Sequence, residues 1–189
     1  LAPGGTYTLQ DDHSSFLSQI RNFALTRGTF NANGFNLSHG IYTIASTMTS
    51  VLMGSGTWTI NRVAAASSWN NAASAAVISC GTSTIKYANQ ATGTQTFAGN
   101  GATYYILDAT VNGTTGGVTI TGANTFNDIK FSDTTNARTL TLPSAVTTTI
   151  TNAQAFALLK GTAGKLMTVT SSSSGSAATV ALPNGYAGG

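Results

Sequence analysis

Glutamate is absent from this chain, and its five acidic residues are all Asp. Charged residues of both signs make up 7% of the sequence, against roughly a quarter in ordinary globular domains. A glycosidase needs two carboxyl groups about 5 to 10 Å apart, so such a site could use only Asp11, Asp12, Asp108, Asp128 and Asp133. The surface polarity must come mainly from Thr, Ser and Asn.

Cysteine occurs once, as Cys80, which excludes an internal disulfide and a cysteine metal cluster. Cys80 follows the apolar run VIS, a setting that favours a buried small residue over a nucleophile. His13 and His39 are the only histidines, and neither lies in a recognisable catalytic motif. Asp11, Asp12 and His13 resemble a metal-binding triplet, but neighbouring residues of a strand point to opposite faces. We therefore expect no metal and no other cofactor.

Runs of positive charge and long apolar runs are also missing. The net charge is +3, but the eight Lys and Arg residues are scattered, so the sequence predicts no nucleic-acid-binding surface. No stretch approaches the roughly 18 apolar residues of a membrane span. The chain begins at Leu1 and ends in YAGG, which suggests a processed form or a fragment of a longer protein.

Threonine is abundant throughout the chain, and its β-branched side chain favours strands over helices. Short runs such as Thr57 to Ile60 and Thr139 to Leu142 alternate between hydroxyl and apolar residues. Alternation with period two predicts strands with one buried and one solvated face. Trp58 falls on the apolar face of its run, so we expect it in the core.

The strands repeat along the chain. Residues 102–109 can be laid over 124–131 with a shift of 22, and residues 95–99 over 118–122 with a shift of 23, while 138–151 and 166–182 repeat the plan more loosely. This period predicts an all-β fold, a right-handed parallel β-helix (β-solenoid) with coils of about 20–25 residues and roughly seven to eight coils. We expect a single domain over 1–189, in which 1–27 form an N-terminal cap or first coil, 28–182 the repeat coils and 183–189 a tail.

Two stretches depart from the repeat. In residues 11–25, Phe16, Ile20 and Phe23 have near-helical spacing after two Asp residues that could cap a helix, although a coil of strands fits as well and is slightly favoured. In residues 64–77, small residues surround Trp69. That composition predicts a loop that bulges from the solenoid, with Trp69 folded onto it.

The phrases GTFNANGFNLS, GSGTWTI, GTSTIKY, TFAGNGATY and TITGANTFNDIKF resemble repeat segments of large parallel β-helix surface proteins, tail-fibre-like and adhesin-like, of viral and bacterial genomes. The resemblance implies an exposed structural or attachment role in an extracellular or virion-surface protein. It brings no catalytic residue to this chain.

The functional prediction is therefore a non-enzymatic structural or attachment segment that self-associates or joins flanking domains of a larger protein. Trp69, Tyr104 and Tyr105 are the candidate contacts for a cell-surface glycan or a partner. Tyr104 and Tyr105 are adjacent, so one of them must face outward from a strand. The exposed one is the better candidate.

Two alternatives stay open. A polysaccharide-active hydrolase or lyase would use Asp128 with Asp108 or Asp133. The shift of 22, however, places Asp108 beside Lys130 as an ion pair. Asp133 lies in a corner where Asp often accepts hydrogen bonds from its own backbone. Alternation also places Asn127 on the inward face, with Asp128 in solvent. The second alternative is an ice-binding or surface-binding array built from the recurring Thr-x-Thr pairs.

Overall fold

In the computed structural model, the described residues are 4–14, 21–62, 66–88, 92–111, 115–152 and 161–183. Almost all regular structure in them is β-strand, and the exception is one short 3₁₀ turn at Ala75–Val77. In chain order the strands are β1 (Thr6–Thr8), β2 (His13–Ser14), β3 (Asn22–Leu25), β4 (Gly28–Asn31), β5 (Leu37–His39), β6 (Ile41–Ile44), β7 (Met48–Leu52), β8 (Thr57–Ile60), β9 (Ala66–Asn71), β10 (Ile78–Ser79), β11 (Thr84–Tyr87), β12 (Gln95–Ala98), β13 (Thr103–Thr110), β14 (Val118–Thr121), β15 (Thr125–Ser132), β16 (Arg138–Leu142), β17 (Thr147–Ile150), β18 (Met167–Ser171) and β19 (Thr179–Ala181).

The strands form three parallel sheets that stack as a β-solenoid of about six turns. Sheet A has the order β1-β4-β7-β10, so it covers only the N-terminal coils. Sheet B has the order β19-β17-β15-β13-β11-β8-β5-β2, and sheet C has the order β18-β16-β14-β12-β9-β6-β3. Sheets B and C therefore run from the first coil to the last. The prediction of an all-β parallel β-helix is confirmed.

The predicted register is confirmed in the middle of the chain. Thr103 pairs with Thr125 and Gln95 with Val118, as the two sequence alignments require. Other coils are longer, and the pairing of Thr147 with Thr179 spans a larger separation in sequence than either of these. Coil length therefore varies along the chain, and the last coil exceeds the predicted 20–25 residues.

Corners between sheets are closed by Gly and Asn. At the corner before β15, Gly122 has a φ of +87°, a backbone conformation that glycine adopts without strain. The Asn124 side chain donates to the carbonyl of Thr121 at 2.8 Å and accepts from the amide of Gly101 on the preceding coil at 2.9 Å. Asn124 is fully buried, so these bonds satisfy its amide inside the stack.

Aromatic rings run through the core from coil to coil. Consecutive rings lie 5.6 to 5.9 Å apart between centroids along a series that consists of Tyr7, Phe30, Trp58, Trp69, Phe97 and Phe126. Such aromatic pairs contribute about 0.5–1.5 kcal/mol each beyond the burial of their apolar area. Trp58 is fully buried, as expected from its alternation with Thr.

Two uncertain stretches contain strands in the parts that the structure describes. Within residues 11–25, the described parts hold β2 and β3, and Phe23 packs its ring against Phe30; Phe16 and Ile20 lie outside the described residues. The prediction of a loop at 64–77 is wrong for Ala66–Asn71, which is strand β9 of sheet C. Trp69 draws this stretch into the core, because its ring stacks on Phe97 at 5.8 Å.

The side-chain alternation fails at one point of sheet B. Phe126 is fully buried, whereas Asn127 and Asp128 are both half-buried, so the prediction of an inward Asn127 is wrong. The pairing of β13 with β15 skips Tyr105 and Asn127 and resumes at Ile106 and Asp128. At the skipped pair, two successive side chains of each strand are half-buried.

Candidate functional site

Asp108 and Asp128 lie on neighbouring strands of sheet B. Asp108 pairs with Lys130 on one side and with Lys86 on the other, and Asp128 pairs with Ile106. The predicted register of Asp108 against Lys130 is therefore confirmed. Asp128 is offset from Asp108 by one strand and two residues, which places their Cα atoms about 8 Å apart.

The two carboxylates differ in their surroundings. Burial raises the pKa of Asp128, with a smaller contribution from the negative charge of Asp108, while Lys130 opposes the rise. The Asp108 carboxylate accepts hydrogen bonds from the amide of Thr110 at 2.9 Å and from its hydroxyl at 2.5 Å. A carboxyl with a raised pKa beside a second carboxyl is the kind of pair that glycoside hydrolysis uses.

Asp133 lies away from this pair, inside the fold. It is fully buried, and its carboxylate accepts from the Thr135 amide at 2.7 Å, the Thr135 hydroxyl at 2.6 Å and the Asn136 amide at 3.1 Å. The prediction that Asp133 bonds its own turn is confirmed. Asp108 and Asp128 are thus the carboxylates that share a surface, and Asp133 organises a corner.

Arg138 is a buried cation that the sequence analysis did not single out. Its guanidinium donates to the carbonyls of Gly116 at 2.9 Å and Ala109 at 2.8 Å, on the preceding coil, and lies 4.6 Å above the ring of Phe131. Burial lowers the pKa of Arg138, and the negative charge of Asp133 opposes this shift. A lone Arg at the start of a Thr-Leu-Thr-Leu strand gives little sequence signal for such a role.

The three predicted aromatic contacts do not share a surface. Trp69 and Tyr104 are buried, with 0% and 1% of their surface exposed. The Trp69 indole N–H donates to the Tyr104 hydroxyl at 3.3 Å, and that hydroxyl donates to the carbonyl of Gly99 at 2.9 Å. Neither ring offers a face to a glycan, so both fail as contact residues. Tyr105 is half-buried and keeps an outward face.

Sheet C carries hydroxyl groups in register on its outer face. Ser67 pairs with Thr96, Thr96 with Thr119, Thr119 with Thr141 and Thr141 with Thr170. Thr139 pairs with Thr168 in a neighbouring column. Five successive strands therefore place hydroxyls about 4.8 Å apart, although the Thr-x-Thr pairs are unevenly spaced in sequence.

A histidine pair at the first coil also escaped the sequence analysis. Nδ1 of His13 lies 2.9 Å from Nε2 of His39, and the two rings stack with centroids 4.9 Å apart. Burial, together with a smaller effect of positive charge on His13, lowers the pKa of His39 to about 4. The two histidines are separated in sequence by close to one coil, and this near-repeat is the signal that could have found the pair.

Metal binding and thiol chemistry find little support in the described parts of the chain. No group of three or more His, Cys, Asp or Glu side chains there could hold a metal ion. Cys80 is half-buried, and burial raises the pKa of its thiol, which disfavours the reactive thiolate. The described residues also include no helix long and apolar enough to cross a membrane.

Comparison with known proteins gives no match, whether the chain is scanned against protein-family models or searched against the curated proteins and the solved structures. The solenoid fold that the repeat phrases implied is shown by the sheets themselves. The tail-fibre-like and adhesin-like resemblance stays a prediction. Function has to be argued from the chain's own residues.

Proposed function

We propose that this chain is a rigid, non-enzymatic structural or attachment segment of a larger extracellular or virion-associated β-helix protein. The observation that carries the proposal is the continuity of sheets B and C from the first coil to the last. A stack of parallel strands around a filled core is stiff, because bending it would break backbone bonds and ring contacts at once. A solenoid coil buries its apolar face only against its neighbours, so the fold naturally serves as a spacer.

Attachment would use the outer faces of the sheets, which carry few charges. Tyr105 is the aromatic candidate for contact with a glycan, since it is only half-buried on strand β13, whereas Tyr104 is buried. A glycan array with the wild-type chain and with Tyr105→Ala tests this role, and Tyr104→Phe serves as the control because Tyr104 is buried. Binding that is lost only in Tyr105→Ala supports the assignment, and equal binding by all three chains contradicts it.

The non-enzymatic part of the proposal has a direct test. Purified chain is incubated with a panel of polysaccharides, and new reducing ends and unsaturated sugars are measured. We expect no turnover. Turnover that disappears in Asp128→Asn and in Asp108→Asn would contradict the proposal and would establish the carboxylate pair as a catalytic site.

A second candidate function is binding to ice or another ordered hydroxylated solid, and the in-register hydroxyls of sheet C favour it. The column of Ser67, Thr96, Thr119, Thr141 and Thr170 has regular spacing, and Thr has few side-chain rotamers, so little entropy would be lost on binding. Inhibition of ice recrystallisation measures this activity. We expect Thr119→Lys to abolish any inhibition and the control Thr84→Lys, on sheet B, to retain it.

A further inference from the structure

Strand β2 is held in the first coil by a small set of contacts. It has two residues, which pair with Leu37 and Ser38 of β5. Just before it, the Asp12 carboxylate accepts from the amide of Asn36 at 2.7 Å and from its side chain at 3.0 Å. The His13 ring meets His39 at 2.9 Å. Groups that titrate in acid therefore provide polar side-chain contacts on both sides of the start of β2.

The hydrogen bond between the two histidines can form when one of the rings is charged, but not when both are. At 2.9 Å, one ring nitrogen must donate and the other must accept, so at least one imidazole is neutral at its contacting nitrogen. His13 is exposed and His39 is 4% exposed, and burial lowers the pKa of His39. While His39 stays neutral, its Nε2 can accept from the Nδ1–H of His13, and the bond persists. A proton on Nε2 of His39 as well would make both contacting nitrogens N–H donors, and the hydrogen bond would break.

The rings packed on the histidine pair are neutral. Phe23 lies 4.7 Å from His39 and Tyr42 lies 5.6 Å from it, and burial raises the pKa of Tyr42, so its phenol carries no charge in acid.

The charged residues next to β2, β3 and β8 in the chain are Asp11, Asp12, Arg21, Arg27 and Arg62; the first four are exposed to solvent and Arg62 is half-buried. The Asp12 carboxylate is engaged by Asn36. A second positive charge on the histidine pair is therefore placed beside aromatic rings, where desolvation disfavours it.

We propose that Asp12, His13 and His39 form an acid-sensitive latch, which holds β2 on β5 at neutral pH and releases it when the histidine pair takes a second proton and Asp12 is neutralised. Release frees the edge of β5 in sheet B, and a free edge can pair with another strand. The solenoid beyond the first coil keeps its structure, because its strands pair with one another independently of β2.

The sign of the pH dependence follows from the two groups. His39 has a lowered pKa of about 4 in the fold against about 6.5 in an unfolded chain, so the stability it contributes is complete above pH 6.5 and is lost as the pH falls toward 4. The pKa of Asp12 is lowered by its bonds to Asn36, so its contribution is complete above the unfolded pKa and is lost at still lower pH. Both losses act in the same direction.

The test is an NMR titration of the wild-type chain from pH 7 to pH 3. We expect the two imidazoles to titrate in two coupled steps, with the lower step at about pH 4. The backbone amides of His13 and Ser14 should become mobile only with the lower step, while Leu107 and Ile129 stay ordered. Ordered amides for His13 and Ser14 at pH 3 would overturn the proposal, as would their release in the upper step.

Variants separate the latch from general acid unfolding. In the double variant with His39→Phe and Asp12→Asn, the histidine pair and the Asp12 carboxylate are both removed. We expect β2 to stay ordered in it down to pH 3. If this double variant does not fold, His13→Asn alone removes the smaller of the two causes, so the pKa of His39 should rise, while burial keeps it below that of a free imidazole. Release of β2 by the double variant at the wild-type pH, or an unchanged pKa of His39 in His13→Asn, would overturn the proposal.

Discussion

Arg138 bridges two coils with one side chain, since its guanidinium satisfies carbonyls of Ala109 and Gly116 that precede it by about one turn of the solenoid or more. Removing the Arg138 side chain leaves these carbonyls without their donor and takes a positive charge away from the buried Asp133. We expect Arg138→Met to lower the free energy of unfolding by about 3–5 kcal/mol, and Arg138→Lys to lower it by less, because Lys keeps the charge but lacks the fork of donors.

Urea denaturation followed by circular dichroism measures this effect. The exposed Arg21 is the matched control, and we expect Arg21→Met to change the free energy of unfolding by less than about 0.5 kcal/mol. Equal effects of Arg138→Met and Arg21→Met would mean that the buried bonds of Arg138 contribute nothing to stability.

Gly81 closes a corner where two coils approach closely. Its φ is +54°, and an added Cβ would clash with the carbonyl oxygen of Gly54 on the coil beneath. Gly175 has a similar φ of +79° but no atom within 4 Å of an added Cβ. We expect Gly175→Ala to cost roughly 1–2 kcal/mol from backbone strain and Gly81→Ala to cost clearly more. Thermal unfolding of both variants checks this order, and similar costs would contradict a close corner stack.

At the scale of strands, sequence reasoning worked where coils have equal length. The register between β12 and β15 was readable because Tyr104 and Phe126, or Phe97 and Ile120, occupy the same position in successive coils. Elsewhere the coils vary in length, so residues that meet in space, such as His13 and His39, are separated by only approximately one coil and are harder to align.

The candidate site was only partly predictable for the same reason. The neighbours of Asp108 and Asp128 lie in the regular part of the chain, and their strand register was placed correctly. Trp69 was misread as a loop residue because small neighbours hide its strand; its burial follows from ring contacts with Trp58 and Phe97 that alternation alone does not predict.

If the coils are equivalent, deleting one whole coil should leave the others folded. Removing residues 103–124 takes out one coil and joins Ala102 to Thr125, so β15 would pair with β11 and β16 with β12 in the register that β13 and β14 have now. We expect a folded, shorter solenoid with a strand-type circular dichroism spectrum. Deleting only 103–113 removes a sheet B strand without its sheet C partner, and this control should not fold. Unfolding of the full-coil deletion would contradict interchangeable coils.

At the scale of the whole molecule, the last coil leaves apolar side chains uncovered. Val169 pairs with the buried Leu140, yet 46% of its own surface is exposed, and Leu166 is 68% exposed. We expect these residues to promote self-association, and Val169→Lys to reduce it. The control is Thr168→Lys, which adds the same charge at the neighbouring exposed position. Light scattering after size-exclusion chromatography measures the mass, and a wild-type monomer at high concentration would count against self-association.

The distance between two spin labels along sheet C tests the rigid-spacer account most directly. In a Cys80→Ser background, labels at Thr43→Cys on β6 and Thr170→Cys on β18 lie five strand steps apart, or roughly 24 Å along the stack at about 4.8 Å per step. Double electron–electron resonance should give one narrow distance distribution near this value, widened only by the label arms. A broad distribution, or a second peak at longer distance, would contradict a rigid solenoid.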